Sequence, residues 1–162
     1  MGKIIEFKKF SKKINTENLH TQSFSIDIFP ENDLMYIRKE LEINLDEIDM
    51  ILNCVYKQIL INEKLITATE DDFEKLTYLK DFNDKLQDII YFLTNSSYND
   101  PIIININFLE FKYLMGTLQL ELDVLKETQA SAQDHNSLDV LDFLFNRLLP
   151  FYNSWKKDIF KS

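Results

Sequence analysis

The chain has little of what most small catalytic or stapled folds depend on. It holds one cysteine, two glycines, three prolines, two arginines and one tryptophan in 162 residues. A lone cysteine excludes a disulfide framework and an all-cysteine metal site. Two glycines leave no room for a phosphate-cradling loop or a dinucleotide fingerprint, and neither a nucleophile elbow nor a paired-histidine zinc helix is present. The longest apolar runs, such as Ile89-Ile90-Tyr91-Phe92-Leu93, fall far short of the roughly 20 residues that a membrane helix needs. No secretory signal follows Lys3, because charges recur every few positions; a cytoplasmic chain with no membrane partner is expected. No cofactor, metal site or catalytic residue is expected either, and the chain is read as a non-enzyme.

An apolar fraction of 45% and an aromatic fraction of 13% specify a packed core, and the length suits a single domain. The net charge is −9, unevenly spread: residues 1–14 carry five lysines (Lys3, Lys8, Lys9, Lys12, Lys13) against Glu6, so the rest of the chain is more acidic than the total. An acidic body repels phosphate backbones and attracts basic surfaces, so a basic protein is the expected partner and direct nucleic-acid binding is not.

The chain contains an internal repeat. Ile43-Asn44-Leu45-Asp46-Glu47-Ile48 matches Ile106-Asn107-Phe108-Leu109-Glu110-Phe111 at an offset of 63. Each segment reads as a helix start, with asparagine capping an unpaired backbone N–H and the glutamate three residues on reaching back. Ile43 with Ile48, and Ile106 with Phe111, hold the two hydrophobic-staple positions. A helix over about 45–63 presents Ile48, Ile51, Leu52, Val55 and Ile59 on one face. A third helix over about 108–127 presents Phe111, Leu114, Met115, Leu118, Leu122 and Leu125. Each is followed by a second amphipathic helix, over about 70–94 and from about 137 onward. In these, Leu76, Leu79, Phe82 and Leu86 align with Leu138, Leu141, Leu144 and Leu148, and Lys85 with Arg147. Pro150 is expected to kink or split the last helix.

Period-two alternation precedes each helix pair: Ile102, Ile104 and Ile106 in one unit, Met35, Ile37, Leu41 and Ile43 in the other. Phe24, Ile26 and Ile28 alternate too, and Pro30-Glu31-Asn32-Asp33 reads as a turn, which predicts a hairpin over 23–43; helix propensity makes 31–43 as a helix the rival reading. Ile5 and Phe7 offer an edge strand. The predicted fold is α+β, mainly α: two strand–helix–helix repeats forming a four-helix bundle-like core, with a small N-terminal antiparallel β segment. The divisions are 1–44, a first helical hairpin over 45–100, and a strand plus second hairpin over 101–162.

Little chemistry attaches to the titratable residues. His20 and His135 fall in polar links, and Gly116 inside a helix points to close packing. Cys54 joins Met50, Ile61 and Leu65 in a second apolar stripe on the first helix, which makes that helix central or a seam for a second copy. The sharpest surface feature lies on the second helix. Glu70, Glu74, Asp81, Asp84 and Asp88 fall within an arc of about 80° opposite its apolar face. An ordinary solvated face accounts for such a row; so does a docking stripe for a basic partner. The resulting expectation is an acidic protein-binding module, an immunity-type inhibitor that occludes a basic toxin or nuclease. The alternatives are a self-associating structural or regulatory protein (a homodimer in its simplest form) and a DNA-mimic inhibitor. The aromatic tail Phe151, Tyr152, Trp155 and Phe160 is a second candidate seam for self-association.

Overall fold

The computed structural model describes residues 3–6, 25–28, 32–69, 71–95, 99, 101–128 and 135–161. Two short strands, β1 (Lys3–Glu6) and β2 (Ser25–Ile28), are followed by a 3-10 turn at Asp33–Tyr36 and by β3 (Arg38–Ile43). Then come α1 (Leu45–Ala68), α2 (Phe73–Thr94), β4 (Ile102–Asn107), α3 (Phe108–Thr128) and α4 (His135–Ile159). The fold is α+β and mainly α, built from the two strand–helix–helix units β3–α1–α2 and β4–α3–α4.

Both helix starts form as the repeat predicts. Asn44 Oδ1 accepts the Glu47 N–H at 2.8 Å and Glu47 Oε1 accepts the Asn44 N–H at 3.0 Å. Asn107 and Glu110 make the same reciprocal pair at 2.8 and 3.1 Å. Each box fixes where strand turns into helix, so β3 runs into α1, and β4 into α3, with almost no loop. The second helix of the first unit starts later than expected, at Phe73, because Asp72 supplies the cap, its carboxylate accepting the Lys75 N–H at 3.1 Å.

The hairpin predicted over 23–43 does not form. β2 pairs antiparallel with β1, and β3 pairs antiparallel with β4, in register Leu41↔Ile104 and Ile43↔Ile102. Residues 31–43 divide into the 3-10 turn and then β3. Asn32 caps the turn, accepting the Leu34 N–H at 2.9 Å while donating to the Ile159 carbonyl at 3.1 Å, which anchors this connection to the far end of α4. Ile37, between turn and strand, is 51% exposed, so the apparent alternation from Met35 breaks there. β4 is the better partner for β3: Ile102, Ile104 and Ile106 lie buried beside Leu41 and Ile43, and cross-strand burial of β-branched side chains stabilises such pairs.

The central helix is α3, not α1. Every position of α3 from Glu110 to Leu118 is buried, and α1, α2, α4, the 3-10 turn, β2 and β4 all pack against it. Only one charged residue, Lys112, occurs between Phe111 and Leu120, so this helix has no full polar face to turn to solvent. Buried Lys112 lays its ammonium 4.9 Å from the centre of the Tyr113 ring. Gly116 sits within this fully buried stretch, in keeping with the close packing read from the sequence.

The second stripe of α1 is inside the monomer: Cys54 and Leu65 are buried, and half-buried Met50 and Ile61 pack against the core. Of the aromatic tail, Trp155 is core, Tyr152 and Phe160 are half-buried against it, and Phe151 is exposed. Phe108 stacks on Tyr152 at 5.2 Å and meets the Trp155 edge at 5.6 Å, while Phe111 lies 5.8 Å from Trp155. These contacts hold α4 to α3 across Pro150. The helix therefore runs unbroken to Ile159, with the imino acid on the solvent side where water can satisfy the released carbonyl.

Leu118→Ala is expected to cost about 2–5 kcal/mol in urea unfolding, as a cavity in the central helix, whereas Leu60→Ala on the exposed face of α1 should change stability by about 0.5 kcal/mol or less. Equal losses would contradict the placement of α3 at the centre.

Candidate functional site

Two charge clusters stand out: a pair of buried glutamates at the helix starts, and the outer face of α2. The first is structural. Glu47 is clamped by Arg147 of α4, with Nε to Oε2 at 2.9 Å and Nη2 to Oε1 at 2.6 Å. Glu110 is clamped by Arg38 of β3, with Nη1 to Oε1 at 3.0 Å and Nη2 to Oε2 at 3.3 Å. These are the only two arginines in the chain, and each holds the capping glutamate of the other repeat unit. Arg147 also donates to the Glu42 carbonyl at 3.3 Å, and Arg38 to the Asn105 carbonyl at 3.0 Å, so both arginines tie sheet to helix. With a backbone N–H and a two-pronged guanidinium on each, both carboxylates accept three hydrogen bonds, with both oxygens engaged. A groove of about 230 Å3 opens beside Arg147, between Asn44, Pro101 and Phe143; Arg147 and Glu47 in its wall are engaged in the clamp.

A second polar layer sets the register of the first hairpin. Gln58 Nε2 donates to Asn62 Oδ1 at 2.9 Å, and Asn62 Nδ2 donates to Asn83 Oδ1 on α2 at 2.8 Å. Gln58 and Asn62 are buried, so the chain of amides fixes which turn of α1 meets which turn of α2.

The predicted acidic stripe lies on α2. Glu74, Asp81, Asp84 and Asp88 are all exposed, on the side opposite buried Leu79, Phe82, Leu86 and Ile89; Glu70 lies outside the described residues. Asp81 has a second role: it accepts the hydroxyl of buried Tyr113 at 3.3 Å, which ties α2 to α3. Burial pushes the Tyr113 phenol well above its ordinary range, and the neighbouring Asp81 carboxylate adds to this, so the hydroxyl remains a donor. Periodicity counts Phe73 with the apolar residues of this helix, but it does not join the core, and Tyr91 is likewise left outside. Phe73 is 81% exposed and Tyr91 71%, at the two ends of the stripe. Their spacing of 18 residues, five whole helical turns, puts them in line with each other, along one edge of the acidic arc.

Among the described residues, no group of three or more His, Cys, Asp and Glu side chains is arranged to hold a metal ion, and no helix is long and apolar enough to cross a membrane. His135 is the first residue of α4 rather than part of a link, and His20 lies outside the described residues. No family model matches the chain, and no curated protein or solved structure matches it either.

Removing one side of a clamp leaves a buried carboxylate without its counter-charge. Arg147→Met is expected to destabilise the protein by about 2 kcal/mol or more, while the double variant Arg147→Met/Glu47→Gln recovers part of that loss in the same urea titration. Additive losses would contradict the clamp.

Cys54 gives a pH-dependent test. Burial, then the Glu121 carboxylate, pushes its thiol up from 9.0 to about 12, with Lys57 opposing. The folded state therefore keeps a proton that the unfolded state releases above about pH 9, so this group's contribution to stability is full below pH 9 and declines as pH rises from there. Below that pH a thiol reagent should modify Cys54 only at the rate of unfolding; fast labelling of native protein would contradict its burial.

Proposed function

We propose that this chain is a non-enzymatic, acidic protein-binding module, an immunity-type inhibitor that neutralises a basic toxin or nuclease by covering its surface. The observation that carries the reading is the outer face of α2, where Glu74, Asp81, Asp84 and Asp88 stand exposed in one row on a helix anchored by Leu79, Phe82, Leu86 and Ile89. A row of carboxylates on a rigid element presents its potential without first being ordered, which favours fast, salt-sensitive capture of a basic surface. The overall charge of −9 adds long-range attraction of the same sign. The reading places the protein in the cytoplasm, where such a partner would be held inactive. For self-association, the alternative reading, Cys54, Leu65 and Trp155 are buried within the monomer, while Phe151 remains 37% exposed.

The reading is tested by inhibition. Tagged chain is used to capture partners from lysate of its own source, and the captured basic protein is purified and assayed with and without added chain. Loss of the captured protein's activity at equimolar chain is expected. The triple variant Glu74→Gln/Asp84→Asn/Asp88→Asn should slow association about tenfold at low salt and less at high salt. A captured protein that keeps its full activity, or association indifferent to the triple variant, would overturn it.

A further inference from the structure

The groove beside Arg147 holds more than the clamp needs. Its walls come from both repeat units: Glu42 and Asn44 from the β3–α1 junction, Pro101 from just before β4, and Phe143 and Arg147 from α4. Arg147 and Glu47 satisfy each other. Glu42 is different. Only its backbone carbonyl takes part, accepting from Arg147; its side chain is exposed and has no partner among the described residues. The wall therefore keeps one uncommitted negative charge. Two more carboxylates without a partner among the described residues neighbour it. Glu40 lies two residues back on the same face of β3, and Asp139 one turn before Phe143 on the same face of α4, both exposed. The rest of the wall is apolar and open to solvent. Phe143 is 69% exposed, Pro101 is exposed beside it, and exposed Val140 and Ile103 (the latter paired across the ladder with Glu42) extend the same surface. Four exposed apolar side chains gathered around one groove are not the single scattered ones of an ordinary surface.

We propose that this groove seats one long basic side chain, lysine or arginine, of a protein partner, with its apolar stem on Pro101 and Phe143 and its charged head at Glu42. Lysine and arginine are the side chains that combine such a stem with such a head. A cation near an exposed ring gains from the ring's quadrupole, and an unpaired carboxylate gains from the same charge. An uncharged side chain would instead cover Glu42 and leave its carboxylate unmatched. A second copy would set acidic rim against acidic rim, and phosphate-bearing surfaces are repelled by the same carboxylates. Arg147 does not oppose the incoming cation, because its own charge is balanced by Glu47. Size agrees: about 230 Å3 lies below the roughly 300–1,000 Å3 of small-molecule pockets and is room for a single side chain. The proposal rests on the reading of this chain as the binder of a basic protein, and adds to it a second contact, built by β3 and α4 and not by α2.

The probe is the tripeptide acetyl-Gly-Arg-Gly-amide, with its lysine counterpart run beside it. Each is titrated into the full chain at low, matched ionic strength and followed by amide NMR shifts. Two controls replace the basic residue: citrulline, which keeps the shape of arginine without its charge, and norleucine, which keeps only an apolar stem. Saturable shifts are expected at the amides of Ile43, Asn44, Phe143 and Arg147, with a Kd of about 10 mM or tighter for a single side chain. Both controls should bind several-fold more weakly. Glu42→Gln and Phe143→Leu should each weaken the arginine peptide about threefold. Both positions are exposed, so these variants should keep the parental melting curve, which circular dichroism checks. The α2 variant Glu74→Gln/Asp84→Asn/Asp88→Asn should leave the groove shifts unchanged. Absence of saturable shifts, equal binding of citrulline or norleucine, or indifference to either groove substitution would each overturn the proposal. Shifts at the same amides on concentrating the chain alone would make a second copy the occupant and overturn it too. Saturable shifts confined to α2 would overturn the groove while leaving the α2 docking face standing. Conversely, a captured protein that keeps its full activity would overturn the inhibitor reading and leave the groove shifts in place.

Discussion

Two glutamates decide how this chain is assembled. Glu47 and Glu110 close the capping boxes that turn β3 into α1 and β4 into α3, and each is nearly buried, with side-chain exposures of 10% and 7%. A carboxylate so placed is costly unless its charge is matched. The match comes across the repeat: Arg147 of the second unit grips Glu47 of the first, and Arg38 of the first grips Glu110 of the second. The repeats are thus alike in their glutamates and reciprocal in their arginines. Neither unit completes its own helix start, and the β3–β4 ladder, which also joins one unit to the other, lies against both clamps.

From this follows the division of labour among the helices. α3 is enclosed by both units and by β2, and serves as the common core on which α1, α2 and α4 rest. α4 is fastened by the aromatic cluster at one end and by Arg147 nearer its middle. α2 is packed on one side only, with its register set by the Gln58–Asn62–Asn83 amides and its opposite face left to solvent. The carboxylates of that face are thus presented on an already ordered backbone.

Much of this was legible in the residues. Caps and apolar periodicity are local signals, so both capping boxes, the four helices and the two-unit repeat could be read directly. The acidic stripe followed from spacing alone. Pairings between distant segments were less accessible. The ladder joins residues about 60 to 70 positions apart, and nothing local distinguishes β4 from β2 as the partner of β3; the cap at Asn32, ahead of β3, bonds to Ile159. Nor did aligning Lys85 with Arg147 reveal the clamp, because the clamp obeys the reciprocity between units and not their equivalence. The scarcity of arginine was the available clue: two arginines and two matching capping glutamates in one chain invite a pairing. The central position of α3 could have been found by noticing that Phe111–Leu120 carries a single charge, a stronger sign of enclosure than the divided apolar stripes of α1. Phe73 shares its residue type with the core of α2 but lies in the first turn, off the buried face, so apolar character alone misassigns it.

The central claim is that the two units fold as one body because each completes the other's helix start. Native-state hydrogen exchange tests it most directly, read at the amides of Glu47 and Glu110, which the capping asparagines hold. The account predicts that both amides exchange only through global unfolding, with the same free energy and the same denaturant dependence as the slowest amides of α3. Exchange of one of them through a smaller opening, while the other unit keeps full protection, would show that the units stand independently and would contradict the account.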